Sequence, residues 1–137
     1  MKVALCHLEL SNGPEQKNIE LLEKAVRIAA EKGANWVITP ETAVQGYYFY
    51  KLEPETKVDK QPSSKLSFLL SLVKDYGLFL FLGCGEYDSE LNCNFNSCIV
   101  FEPSGEICGR HRKIISHGIG AEAVSYTHLR AHETDSY

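Results

Sequence analysis

The chain has 137 residues, a net charge of −4 with histidine neutral, 44% hydrophobic and 23% charged residues. That is enough for one domain with a real core, and lysine and arginine dispersed among aspartate and glutamate leave no basic stripe, so a nucleic-acid partner is not expected. No apolar run reaches the length of a membrane span, and Met1-Lys2-Val3 leads straight into a strand pattern without an export signal, so the expected compartment is cytoplasmic with no membrane partner.

In chain order, Lys2 to Leu10 reads as a strand, nearly continuously apolar and therefore expected to be buried in a doubly covered sheet. After Asn12-Gly13-Pro14, the spacing of Ile19, Leu22, Val26 and Ala29 or Ala30 predicts an amphipathic helix stopped at Gly33. Trp36 to Thr39 forms a second strand, so residues 2–40 make a strand-helix-strand unit with parallel strands. Lys51 to Pro62 is a polar surface loop. Ser63 or Ser64 can cap a second helix that carries Leu66, Leu69, Leu70 and Val73 and ends at Tyr76-Gly77. Leu78 to Leu82 is a third buried strand. Phe95 to Glu102 and Glu106 to Arg112, joined through Pro103-Ser104-Gly105, should pair antiparallel and give a mixed sheet.

The five cysteines, Cys6, Cys84, Cys93, Cys98 and Cys108, are odd in number and lack Cys-x-x-Cys spacing. Reduced, mostly buried thiols are expected rather than a disulfide framework or a zinc site. From about Val124 the periodicity breaks off. His128 and His132 are spaced by four like ligands on one helical face. Ala123 to Thr134, however, resembles the in-frame translation of a transposase adapter used in sequencing libraries, so residues 123–137 are set apart as a non-native tail and residues 1–122 as the domain proper.

Three motifs carry chemistry. Trp36-Val37-Ile38-Thr39-Pro40-Glu41-Thr42-Ala43 with Gly46-Tyr47 comes first, then Asn96-Ser97 with Gly105, then His111-Arg112-Lys113. In this order and spacing they resemble the carbon-nitrogen hydrolase family, which includes nitrilases and aliphatic amidases. The resemblance implies an α-β-β-α sandwich of two stacked mixed sheets, of which this chain supplies the amino-terminal half, truncated. It also implies hydrolysis of a small-molecule amide or nitrile by a Glu-Lys-Cys triad through a thioester, with no metal or organic cofactor, and a homo-oligomer for the full-length form.

Such chemistry needs an activated thiol, a proton shuttle to departing ammonia and a positive group at the developing oxyanion. Glu41, at the carboxyl end of an apolar strand, fits the shuttle, with partial desolvation expected to raise its pKa. Lys113 fits the oxyanion stabiliser. Glu122 resembles a further family glutamate that positions substrate and lysine.

The cysteine is where this sequence departs from the family, because no cysteine follows Cys108 and the nucleophile should come after Lys113. Cys84, in what reads as a glycine-rich turn Gly83-Cys84-Gly85-Glu86, is the one thiol at a plausible sheet edge. Its chain order contradicts the family, and the two glycines do not make a phosphate loop. The run Tyr47 to Tyr50 lines a substrate mouth or packs under the loop that follows it. The chain is therefore expected to be inactive. A non-catalytic α/β binding or scaffold module that keeps the pocket is the alternative, and a flavodoxin-like regulatory domain fits less well because the last strands read as a hairpin. An inner sheet face carrying Leu5, Val37, Ile38, Leu80 and Leu82 is expected to lack cover and to favour aggregation.

Overall fold

The computed structural model describes residues 1–53 and 55–114. Its elements are β1 (Val3–Leu5), α1 (Glu15–Glu31), β2 (Trp36–Ile38), α2 (Ser67–Tyr76), β3 (Phe79–Asp88), β4 (Cys93–Phe101) and β5 (Ile107–Arg112), with 3-10 turns at Gly46–Lys51 and Ser64–Leu66. The strands form one sheet in the order β1-β2-β3-β4-β5. The first three run parallel, and β3, β4 and β5 alternate antiparallel, so the sheet is mixed.

Helix α1 forms because Ile19, Leu22, Val26 and Ala29 recur on one face, all of them buried. Pro14 fixes the chain at its start, and Gly33, at φ 78, turns it out again. Helix α2 buries Leu69, Leu72 and Val73 and ends in a left-handed Gly77. The expected serine cap is absent. Ser63 caps through its backbone, whose carbonyl accepts from Leu66 N–H at 3.0 Å, and the 3-10 turn leads into the helix without a side-chain bond.

Cross-strand register sorts the sheet residues onto two faces. Ala4, Val37, Leu80 and Phe101 share the face packed against α1 and α2. Leu5, Ile38, Phe81 and Val100, with Val3, Trp36 and Phe79 beside them, share the other. The single uncovered face expected from the sequence is thus two faces: Val37, Leu80 and Leu82 are fully buried, whereas Leu5 is 68% exposed and Val3 42%. Strand β1 is likewise corrected. It is a short edge strand rather than a doubly covered one, because only Ala4, Cys6, Leu8 and Leu10 reach the core.

Strand β3 runs on through Gly83-Cys84-Gly85-Glu86, which is not a turn. The ladder with β4 continues through Gly83↔Cys98, Cys84↔Ser97 and Gly85↔Asn96. The glycines are there because another segment lies on them. A Cβ on Gly83 would fall 2.2 Å from Pro40 O, and one on Gly85 would fall 2.7 Å from the Phe49 ring.

Two outcomes follow. Gly83→Ala collides with backbone and is expected to cost about 2–3 kcal/mol in urea melts, while Gly85→Ala collides with a side-chain ring and costs about 1 kcal/mol. The apolar face exposed at Val3 and Leu5 among the described residues is expected to make the chain associate, seen as a rise in sedimentation coefficient with concentration; a monomer at all concentrations contradicts this.

Candidate functional site

Beyond β2, Thr39 keeps the strand's pairing with β3: its N–H donates to Phe81 O at 3.0 Å, and its Oγ1 accepts from Gly83 N–H at 2.9 Å. The chain then turns across β3. Buried Gln45 clamps this turn to Gly85, accepting from its N–H at 2.7 Å and donating to its carbonyl at 3.3 Å. Thr42 sits at φ 48, a costly conformation for a β-branched residue, with its buried hydroxyl lacking a hydrogen-bond partner. Between these fixed points stands Glu41.

Three side chains converge on one oxygen, Glu41 Oε1: Asn96 Nδ2 donates at 2.6 Å, Tyr50 OH at 3.0 Å and Lys113 Nζ at 3.1 Å. Asn96 Nδ2 also donates to Tyr50 OH at 2.8 Å. Lys113 follows β5 directly, and its backbone N–H donates to Asn96 O at 2.8 Å, so two site residues are fixed by one ladder bond. Residues 41 and 113, separated by 72 positions, thereby form an ion pair.

Partial burial pushes the Glu41 carboxyl up, but the hydrogen bonds from Lys113, Asn96 and Tyr50 and the lysine's charge outweigh it and hold the carboxyl below its ordinary value. The expected upward shift is corrected on this point. Desolvation alone would raise the group, and the sequence does not reveal that three donors meet it.

A cavity of about 320 Å³ opens beside the pair, lined by Glu41, Gly83, Asn96, Cys98, His111 and Lys113 among others. A larger cavity, about 710 Å³, lies between the start of α1 and the segment around Tyr48 to Asp59, away from Glu41 and Lys113. Its charged residues are largely spent on each other, since Lys65 pairs with Glu15 at 2.8 Å and Asp59 at 2.7 Å. The smaller cavity is the one lined by both Glu41 and Lys113, and it is the candidate site.

Cys84 lies on the other face of the sheet, fully buried among core residues, and burial, with Glu86 and Cys98 adding to it, pushes its thiol far up. The thiol beside Glu41 is Cys98 instead, which strand alternation could have indicated, because it shares a face with Asn96. Burial raises this thiol as well. Asn96 stood out in the sequence as a motif residue, but its bond to Glu41 did not, and nor did the one from Tyr50. Glu122 lies outside the described residues, as do the boundary at 122 and the segment 123–137. Among the described residues no group of three or more His, Cys, Asp or Glu is arranged to hold a metal ion, and no helix is long and apolar enough to cross a membrane.

The architecture is therefore an α/β protein with a mixed sheet and a cavity beside the segment that follows its second strand. A family model described as carbon-nitrogen hydrolase matches residues 2–135, and the chain belongs to that family. It is 31% identical to a nitrilase of Pyrococcus abyssi over 83% of this chain and 43% of that protein. It is 32% identical to the omega-amidase NIT2-B of Xenopus laevis, over 71% of this chain and 34% of that protein. The structure is similar to Saccharomyces cerevisiae Nit3, a member of branch 10 of the nitrilase superfamily, at TM-score 0.70 and 25% identity, covering 85% of this chain and 45% of that one. An amidase from Nesterenkonia sp. shares the fold at TM-score 0.74 and 22% identity, with 90% and 46% covered. The chain spans less than half the length of these relatives.

A lowered folded-state pKa means that the ionised Glu41 stabilises the fold above the ordinary glutamate value of 4.5, and that this stability is lost as pH falls through the lower folded value. Glu41→Gln is accordingly expected to be less stable than the parent chain at neutral pH in urea melts, with the gap closing only below pH 4.5. A gap independent of pH contradicts the charged arrangement.

Proposed function

We propose that this chain is part of an enzyme that hydrolyses non-peptide carbon-nitrogen bonds in small amides or nitriles by a Glu-Lys-Cys triad. The observation that carries the reading is the ion pair of Glu41 and Lys113 at 3.1 Å beside an open cavity. In this reading the lowered Glu41 is ionised at neutral pH and takes the proton of a cysteine thiol, and the thiolate adds to the substrate carbon. For an amide, Lys113 faces the oxyanion that forms as the carbon-sulfur bond is made. Glu41 returns the proton to nitrogen, the carbon-nitrogen bond breaks, ammonia leaves, and water cleaves the thioester to acid and free thiol.

The nucleophile in this proposal is a cysteine other than the five present. Cys84 is on the far face, and burial pushes the Cys98 thiol up. Glu122 is proposed as the residue that orients substrate and lysine. A cytoplasmic location, a homo-oligomeric full-length form and residues 123–137 as a non-native tail belong to the same proposal. The binding-module alternative draws on the cavity itself, which is formed without any activated thiol. An amide that binds without turnover to a full-length protein favours that module.

The test is ammonia release from aliphatic amides, nitriles and N-carbamoyl compounds. The 137-residue chain is expected to release none. A chain whose native sequence supplies the later cysteine is expected to turn over, and Glu41→Gln or Lys113→Met in it to lower kcat/KM by roughly 10²-fold or more. Turnover by the 137-residue chain alone refutes the assignment of the nucleophile.

A further inference from the structure

We propose that Glu86, on the helix-covered face of the sheet, is a positioning residue that fixes the register of β5 and so delivers Lys113 and Asn96 to Glu41 on the opposite face. As a statement about catalysis this rests on the assignment of Glu41 and Lys113 made above; as a statement about geometry it stands on the following contacts.

Glu86 is 2% exposed and fully engaged. Its Oε1 accepts from Ser97 Oγ at 2.8 Å and from Arg112 Nε at 2.8 Å, and its Oε2 pairs with Arg110 Nε at 3.2 Å. Each partner is the chain neighbour of a site residue or lies on its strand. Ser97 follows Asn96, and Arg112 precedes Lys113. Because successive side chains of a strand point to opposite faces, holding Ser97 and Arg112 to the helix side sends Asn96 and Lys113 to the cavity side. Asp88 Oδ2, which accepts from Arg112 at 2.9 Å, and the Phe95 ring, 4.1 Å from the guanidinium, complete the seat.

The need for such an anchor comes from the hairpin. Between the turn at Pro103-Ser104-Gly105 and Lys113 the pairing of β4 with β5 shifts at Val100/Phe101, where a bulge interrupts the ladder. The turn therefore does not by itself decide which β5 side chains face which way. A slip of one residue would present Arg110 and Arg112 to the cavity and bury Lys113 with the helices. A carboxylate enclosed on the helix side, with two guanidiniums to satisfy it, favours one of the two registers and leaves the other with a buried charge unpaired. The charged and titratable groups around Glu41 itself are Lys113 and Tyr50, with His111 and Cys98 in the cavity lining.

The test uses the full chain in dilute solution and reads the titration midpoint of the Glu41 carboxyl by NMR, with amide hydrogen exchange at Lys113 as a second readout. Lys113→Met sets the scale by raising the Glu41 midpoint. Glu86→Gln is expected to raise it part of the way to that value and to speed exchange at Lys113 relative to β3 amides, which general loosening would not do selectively. A folded Glu86→Gln chain with the parent midpoint and parent exchange overturns the inference while leaving the Glu41 and Lys113 pair intact. Should Glu86→Gln fail to fold, Ser97→Ala is read the same way, with a smaller rise supporting the inference and an unchanged midpoint overturning it. If Lys113→Met leaves the Glu41 midpoint unmoved, the pair itself is wrong and both readings fall.

Discussion

One carboxylate oxygen organises this molecule's candidate site. Glu41 Oε1 receives an ammonium, an amide and a phenol at once, and each donor comes from a different part of the chain. Bringing them together is a matter of backbone as much as of packing: Asn96 is buried, whereas Tyr50 and Lys113 are only partly so. The turn that carries Glu41 is bonded to β3, Asn96 is in the ladder between β3 and β4, and Lys113 is the first residue past β5. The charge arrangement is thus a readout of strand register.

Strand β3 is the common support. On one side it gives Leu80, Leu82 and Cys84 to the core beneath the helices. On the other it offers Gly83 and Gly85, whose missing side chains let the Pro40 to Phe49 segment settle directly on the sheet. Its next residue, Glu86, reaches through two neighbouring strands to hold them in phase. The strained Thr42 fits the same picture: a turn pressed against a strand and tied to it on both sides can hold a residue in a conformation that it would not adopt in isolation.

Much of this was legible in the sequence, for reasons that differ from element to element. The α1 pattern and its Gly33 stop are local signals, and the structure repeats them almost residue for residue. The mixed sheet followed from a turn sequence between two apolar runs. What was not legible depends on partners far away in the chain. Gly83-Cys84-Gly85 reads as a turn unless one knows that another segment lies across it, and the apolar run at Val3 to Leu8 reads as buried unless one knows that, among the described residues, the sheet face at Val3 and Leu5 is exposed. The lowered Glu41 belongs to the same class, since desolvation is visible from a strand end whereas three converging donors are not. Glu41 and Lys113 emerged as candidates because each sits in a recognisable local motif; Tyr50 as a partner of Glu41, and Glu86 as a residue of note, did not, because neither motif contains them.

The single tryptophan of the chain, Trp36, lies on the uncovered sheet face, with its ring 5.2 Å from Phe81 and 6.2 Å from Phe79. It is only half-buried there. Its indole is therefore a built-in optical probe of whatever comes to rest on that surface, and a blue shift in emission would register the arrival of a cover without any label being added.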